Sequence, residues 1–301
     1  MSACHDRDVK VRLGIGLGAL RPEDDLDAVL AAMEDRGVDS LWLSESVTTP
    51  LLDPVVAMGY VVARTQKVKV GTGVLVLPGR DPVHVAKQLA SLARLAPRRI
   101  LPVFGLQAAR PKERSLFPVA GGRAAVFEEA LVVVRRLLTE PRVTHHGDFF
   151  TLDDVGVGFL PSKPLDLWLG GTAEPALRRI GRLADGWLAS FVTPEEAAAG
   201  IEVVKSAAAA AGRSIEDDHY GVTIPVAFGD VPDQLLAFAR ERRPDRDPRP
   251  LVPVGWEAAV RLVAQFVDVG VTKFVLRPAT PPASWPEWVQ EFADVALPLQ
   301  T

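Results

Sequence analysis

Residues 40–76 read SLWLSESVTTPLLDPVVAMGYVVARTQKVKVGTGVLV, and this stretch decides the class of fold. The apolar run Ser40–Ser44 predicts a strand, Asp53–Arg64 predicts a helix, and the β-branched run Val68–Val76 predicts a second strand. A strand, a helix and another strand in succession are typical of a parallel sheet that is covered by helices.

The same alternation extends over most of the chain. Strands are predicted at Val11–Gly16, Ser40–Ser44, Val68–Val76, Ile100–Gly105, Leu165–Leu169, Gly186–Phe191, Tyr220–Phe228 and Thr272–Leu276. Helices are predicted at Asp24–Arg36, Asp53–Arg64, Val83–Leu95, Arg123–Leu138, Glu174–Ala184, Pro194–Ala211, Pro232–Arg243, Trp256–Val269 and Trp285–Val295. Eight strands alternating with helices fit an α/β fold, a (β/α)8 TIM barrel, better than an open doubly wound sheet.

The length of the chain, and the segment where strands and helices stop alternating, indicate how the chain is organised. At about 150 residues per domain, 301 residues suggest two domains, but one barrel of this class fills about 250 residues. The surplus falls in residues 139–164, which carry Gly, Pro, aromatic residues and the pair His145–His146. We therefore expect one domain over residues 1–301, with a flexible start at 1–10 and an insertion at 139–164 before the fifth strand.

Composition excludes several classes of function. A net charge of −4 offers no general attraction for nucleic acid or anionic membranes, and no apolar run reaches the length of a membrane span. The single cysteine, Cys4, rules out an internal disulfide framework and, with no signal-peptide pattern at the start, favours the cytoplasm. His145 and His146 are adjacent and have no Cys or carboxylate cluster at ligand spacing, so we expect no metal site and interpret the two as an exposed loop pair. The alternating charges of Arg240–Pro250 predict a solvated loop.

Two glycine motifs suggest phosphate sites. Gly14–Ala19 (GIGLGA) matches a relaxed dinucleotide-binding pattern, but the next helix opens with acidic residues that would repel a phosphate. The preferred interpretation is that these glycines make room for other residues inside a crowded barrel mouth. Gly170-Gly171-Thr172 follows a strand and opens a helix, where backbone N–H groups and a hydroxyl could hold an anion. A tight turn that simply needs glycine remains the alternative for the second motif.

Polar residues at the strand ends supply further candidates, because the carboxyl ends of barrel strands form the active-site face. They are Ser44, Glu45, Ser46, Gln107 and Ser190. Gly71–Val74, inside a strand pattern, indicates either a bulge beside a ligand or small residues under an opposite layer of side chains.

Taken in order, several stretches resemble the luciferase-like monooxygenase family and its branch of coenzyme F420-dependent oxidoreductases. The resemblance runs from about Val11 to Pro278 and is carried by residues 40–45 (SLWLSE), 70–82 (VGTGVLVLPGRDP), 86–92 (AKQLASL), 143–150 (VTHHGDFF), 167–172 (LWLGGT) and 182–187 (RLADGW). It implies a luciferase-like barrel with a cofactor at the carboxyl ends of the strands and a homodimer as the assembly.

The resemblance also implies roles for single residues. Gly73 and Val74 would support the back of the deazaflavin ring through a non-prolyl cis peptide, and the cofactor set as a whole is Gly73, Val74, Gly105, Gly170, Gly171 and Thr172. The catalytic candidates are Glu45, Ser46 and Gln107. Ser46 stands where some relatives carry a catalytic histidine and Gln107-Ala108 where they carry a glutamate, so the proton donor and the reaction direction do not transfer. Arg110, Lys112 and Arg114 either meet the acidic tail of F420 or form a solvated basic loop.

The sequence thus predicts an enzyme that transfers a hydride between coenzyme F420 and a small organic substrate. The alternatives are an FMN-dependent monooxygenase that uses reduced flavin and oxygen, and a barrel that binds flavin without catalysis. No nucleic acid and no membrane is expected as a partner.

Overall fold

The structure is a computed structural model that describes residues 10–301. The predicted flexible start at 1–10 lies outside this range except for Lys10, which is exposed. In chain order the strands are β1 Arg12–Gly16, β2 Ser40–Leu43, β3 Lys69–Thr72, β4 Leu75–Val76, β5 Ile100–Leu101, β6 Val103–Gly105, β7 Val143–His146, β8 Thr151–Val155, β9 Trp168–Gly170, β10 Gly186–Ser190, β11 Tyr220–Val226 and β12 Lys273–Pro278. The α-helices are α1 Leu26–Arg36, α2 Pro54–Arg64, α3 Pro82–Leu95, α4 Arg123–Thr139, α5 Glu174–Leu183, α6 Pro194–Ala210, α7 Asp233–Arg242, α8 Gly255–Asp268 and α9 Trp285–Ala296. Short 3-10 helices occupy Pro111–Leu116, Arg249–Leu251 and Leu297–Leu299.

The parallel sheet closes on itself. Its order is β4-β6-β9-β10-β11-β12-β1-β2-β3-β5. Because β3 and β4 are two halves of the third barrel strand, and β5 and β6 two halves of the fourth, the pairings β3–β5 and β4–β6 join the ends of this order. The eight predicted strands therefore form the predicted (β/α)8 barrel, and Pro102 is the residue that divides the fourth strand.

The amino acids at several helix starts explain where the chain turns from strand to helix. Asp53 and Asp81 each accept two hydrogen bonds from N–H groups of the first helical turn, and each is followed by a proline at the first helical position. Thr193 and Glu196 form a reciprocal capping box at the start of α6. These caps satisfy N–H groups that the helix itself leaves without partners.

Two tryptophan rings and aliphatic side chains pack together in the amino-terminal half of the barrel interior. Trp42, Val103, Trp168, Leu188 and Val275 form one buried cluster there, and the Trp42 Nε1–H donates to Ser40 Oγ at 3.0 Å. A Cβ on Gly14 would lie 2.7 Å from Trp42 Nε1, and one on Gly186 would lie 2.3 Å from Trp168 Cε2. Gly14 therefore makes room for an interior side chain, although here in the amino-terminal half of the barrel and not at its mouth.

The insertion at 139–164 forms an antiparallel hairpin of β7 and β8. Glu129 of α4 holds it, because its carboxylate accepts N–H groups of Phe149 and Phe150 and lies 3.1 Å from His145 Nε2. The interpretation of His145 and His146 as an exposed loop pair is thus wrong. They lie on a strand, where neighbouring side chains point to opposite faces, and His145 is half-buried while His146 is exposed.

Candidate functional site

The carboxyl ends of the barrel strands surround an open mouth above the tryptophan layer. Buried side chains give way there to partly exposed ones, among them Gly73, Val74, Gly170, Ser190 and Arg277. Backbone groups at the ends of parallel strands and the loops that follow them converge on this face, so it is the part of the barrel that can hold a ligand.

Val74 forms one wall of the mouth. The peptide bond between Gly73 and Val74 is cis, as the family resemblance predicted. A Cβ on Gly105 would lie 2.4 Å from Val74 Cγ2, and one on Gly170 would lie 2.9 Å from Val74 Cγ1. The two glycines therefore form a cradle into which both methyl groups of Val74 fit, and any larger residue would fill it. Val74 is half-buried, and its exposed part forms a fixed apolar surface at the mouth.

Glu45 holds β4, the short strand that directly follows Val74. Its Oε2 accepts the N–H of Val76 at 2.6 Å, and its Oε1 pairs with the guanidinium of Arg80. The side chain is only 4% exposed, so burial raises its pKa, while the Val76 N–H and Arg80 act in the opposite direction. Arg80 also donates to Val76 O at 2.9 Å, so Glu45, Arg80 and β4 form one connected unit.

Glu113 is a site residue that no sequence pattern indicated. It is buried on the 3-10 helix that follows the fourth strand, and its Oε1 accepts from Ser46 Oγ at 2.6 Å, Thr48 Oγ1 at 2.6 Å and Thr48 N at 3.0 Å. Its Oε2 accepts from Val47 N at 3.2 Å. Burial alone would raise the pKa of Glu113, but these hydrogen bonds lower it overall. The carboxylate therefore fixes the loop 46–48 at the edge of the mouth.

The Ser46 hydroxyl is the Glu113 partner with an expected catalytic role. Its hydrogen bond is directed to Glu113, and its catalytic role stays a prediction. Gln107 is exposed, and its side chain makes no hydrogen bond within residues 10–301. Glu45, Ser46 and Gln107 follow the second and fourth barrel strands, and none of the three forms a hydrogen bond with another within the described residues.

The Gly170–Thr172 turn opens toward solvent at the end of the fifth barrel strand. Gly171 has φ +121°, where a Cβ would also lie 2.9 Å from Ala176 Cβ, so glycine is required. Its carbonyl accepts Trp187 Nε1–H at 2.7 Å, which fixes the turn. Pro175 has no N–H and Ala176 N donates to Ala173 O at 2.8 Å, so within the described chain the N–H groups without an acceptor are those of Thr172, Ala173 and Glu174.

Glu174 does not obstruct this turn. Its carboxylate pairs with Arg178 one helical turn further on, with Nη2–Oε1 at 2.6 Å and Nε–Oε1 at 3.0 Å. The exposed turn therefore combines free backbone donors, the Thr172 hydroxyl and the positive end of a helix, which suits a phosphate group. Within residues 10–301 there is no group of three or more His, Cys, Asp or Glu side chains arranged to hold a metal ion.

A flavin-like cofactor fits these residues. Val74, held between Gly105 and Gly170, offers an apolar surface on which a ring can rest. The turn at 170–172 offers an anion site on the neighbouring part of the mouth. No helix in the described range is long and apolar enough to cross a bilayer.

Comparison with known proteins agrees with this geometry. The family model described as luciferase-like monooxygenase matches residues 11–265. The F420-dependent glucose-6-phosphate dehydrogenase of Kineococcus radiotolerans is 26% identical over 218 residues, which are 69% of this chain and 65% of that protein. The matched part of the chain thus covers just under two thirds of that relative's own length.

Solved structures share the fold. An F420-dependent secondary alcohol dehydrogenase in complex with an F420-acetone adduct superposes with a TM-score of 0.81 at 20% identity, covering 97% of this chain and 100% of that one. The oxygenating constituent of 3,6-diketocamphane monooxygenase from Pseudomonas putida, in complex with FMN, superposes with a TM-score of 0.72 at 15% identity, covering 97% and 99%. At these identities the likeness shows a common barrel, and both cofactors occur among proteins with it.

Proposed function

Because this chain belongs to the luciferase-like monooxygenase family, we propose that it is an oxidoreductase that transfers a hydride between coenzyme F420 and a small organic substrate. The observation that carries the proposal is the Val74 wall with its two glycines, joined to an anion-binding turn in the same mouth. The choice of F420 is supported by the curated relative, which is named for dependence on that cofactor.

The residues of this chain would bind and orient the cofactor. When bound, F420 supplies a deazaflavin ring that accepts or donates the hydride. Gly73 and Val74 support one side of the ring and exclude water from it, and Gly105 and Gly170 keep Val74 in place. Gly171 and Thr172 hold the phosphate through backbone N–H groups and a hydroxyl. The protein thereby contributes orientation and a dry surface, while the cofactor contributes the redox chemistry.

Glu45 and Ser46 take supporting positions in this proposal. Glu45 holds β4, and with it the wall, through Val76 and Arg80. Ser46 is positioned by Glu113 at the edge of the mouth, where its oxygen can accept a hydrogen bond from a bound molecule. The catalytic roles of Glu45, Ser46 and Gln107, the homodimer and the cytoplasmic location stay predictions.

Turnover tests the proposal. Reduced F420 is mixed with the purified protein and a panel of enones, imines and quinones, and oxidised F420 with alcohols, while the deazaflavin absorbance is recorded. We expect protein-dependent oxidation or reduction of F420 with at least one compound. Binding of F420 without turnover in either direction would instead identify a barrel that binds the cofactor without catalysis. Oxygen-dependent turnover with reduced FMN, and none with F420, would identify the monooxygenase.

A further inference from the structure

Arg277 is a charged residue inside the barrel mouth that the proposed cofactor site does not use. Its position two residues after Val275, a member of the interior cluster, points its side chain to the interior face of β12. Gly16 on the neighbouring strand makes room for it, since a Cβ there would lie 3.0 Å from Arg277 Cβ. The residue is half-exposed, and no guanidinium nitrogen is sealed from solvent. It is therefore accessible from the mouth.

Within residues 10–301 the guanidinium of Arg277 has no carboxylate or hydrogen-bond partner. The charge that acts on it is that of Arg242, the last residue of α7. Burial, followed by this repulsion, lowers the pKa of Arg277 to about 10, so the group still carries its charge at neutral pH. An unpaired cation in a partly desolvated position is costly unless an anion joins it.

Two more arginines extend this charge. Arg242 is exposed and stacks on the ring of Phe238 at 4.8 Å; partial desolvation and the charge of Arg114 lower its pKa, against the opposing charge of Glu241. Arg114 lies on the 3-10 helix after the fourth strand. In the described chain neither guanidinium forms an ion pair, although the charge of Glu241 acts on Arg242, and Arg277, Arg242 and Arg114 are together called the arginine cluster.

The neighbouring residue shows that this lack of partners is local. Arg243 donates to Glu196 Oε1 at 2.7 Å, to Asp245 Oδ2 at 2.8 Å and to the carbonyl of Phe191 at 2.8 Å. These bonds raise the pKa of Arg243 and anchor the end of α7 to the start of α6. The segment 240–250 is therefore pinned at Arg243, while most of its other residues are exposed, as the prediction of a solvated loop expects.

The arginine cluster lies apart from the anion-binding turn. Arg277 is the last residue but one of the eighth barrel strand and Gly170 ends the fifth, with two whole strands between them in the ring. We propose that the arginine cluster binds a carboxylate or phosphate group of the substrate, so that the substrate of this enzyme is an organic anion. This inference rests on the proposed function for the identity of the mouth as the substrate site.

Phosphate binding tests the cluster without any turnover. Inorganic phosphate is titrated into wild-type protein, Arg277→Met and Arg242→Gln by calorimetry, at constant ionic strength in potassium chloride. We expect phosphate to bind the wild type and both variants to bind it about tenfold or more weakly. The matched control is Arg261→Met, which removes an exposed arginine paired with Glu257 on α8 and should leave the affinity within about twofold. Because Arg277→Met removes an unpaired and partly desolvated charge, its midpoint of urea unfolding should not fall, which separates lost binding from misfolding.

Titration of the same variants with F420 separates the sources of the anion. Unchanged F420 affinity in Arg277→Met, with phosphate binding lost, supports a site for the substrate. Loss of F420 affinity with phosphate binding unchanged would overturn the proposal in favour of the cofactor's acidic tail, as would phosphate binding that survives both substitutions. If phosphate binds through Arg277 but F420 does not bind the wild type, the arginine cluster stands as an anion site and the proposed function fails.

Discussion

Replacing Gly105 by alanine should damage the cofactor site more than it damages the fold. The new methyl group would lie 2.4 Å from Val74 Cγ2, whereas carbon atoms in contact are about 3.5–4.0 Å apart, so one of them must move by more than about 1 Å. Val74 cannot escape by rotation, because its other methyl already fills the space beside Gly170 and a valine has few rotamers. The remaining direction for the side chain is into the mouth.

The magnitude follows from overpacking. Extra methyl groups in a close-packed site cost about 1–3 kcal/mol, and we expect Gly105→Ala to lower the free energy of unfolding by that amount in urea titrations. A displacement of Val74 toward the ring should weaken F420 binding by about tenfold or more, equivalent to about 1.4 kcal/mol, measured by quenching of cofactor fluorescence. The double variant Gly105→Ala/Val74→Ala removes the clash and should recover a large part of the lost stability, which a double-mutant cycle measures.

Gly59→Ala is the matched control for this substitution. Gly59 lies within α2, and a Cβ there would meet nothing within 4 Å. Alanine should therefore leave F420 affinity unchanged and raise stability by about 0.5–1 kcal/mol, because glycine is unfavourable inside a helix. If Gly105→Ala binds F420 as tightly as the wild type does, the position of Val74 does not determine cofactor binding.

Three further predictions concern the carboxylates and the turn. Glu113→Gln places an amide NH2 group among four donors and should lower the free energy of unfolding by about 1–3 kcal/mol in urea; an unchanged midpoint would contradict the clamp on loop 46–48. Since the folded pKa of Glu113 lies below its ordinary value, its contribution is present above about pH 4.5 and is lost as the pH falls through the folded pKa, so wild-type stability should decline more steeply on acidification than that of Glu113→Gln. Glu45→Gln leaves Arg80 without its counter-charge and should weaken F420 binding severalfold through β4, whereas equal F420 affinity would remove Glu45 from the support of the wall. Thr172→Val should weaken F420 but not a deazaflavin riboside that lacks the phosphate, and equal losses for the two ligands would contradict a phosphate site at the turn.

The barrel could be predicted because its signals are local. Each strand is a short apolar run, and pairs such as Asp53-Pro54 and Asp81-Pro82 mark helix starts by hydrogen bonds within one turn. The cis peptide at Gly73-Val74 was also confirmed, but only the family resemblance indicated it, since no periodicity of residues distinguishes that bond.

The contacts across the mouth could not be predicted, because they join residues far apart in the sequence. Glu113 lies 67 residues from its partner Ser46 and is surrounded in the sequence by Lys112 and Arg114, which make the segment resemble a solvated basic loop. The role proposed for Arg277 could not be predicted either, because it depends on the guanidinium forming no ion pair with any element packed around it in the described chain. The roles of Gly105 and Gly170 likewise become visible only when both methyl groups of Val74 are placed between them.

Binding of F420 against the Val74 wall is tested most directly by titrating the purified protein and Gly105→Ala with F420 and with FMN while cofactor fluorescence is recorded. We expect saturable F420 binding that is tighter than FMN binding and is weakened by about tenfold or more in Gly105→Ala. Tight binding of FMN with no binding of F420 would instead place the chain with the flavin monooxygenases that share its barrel.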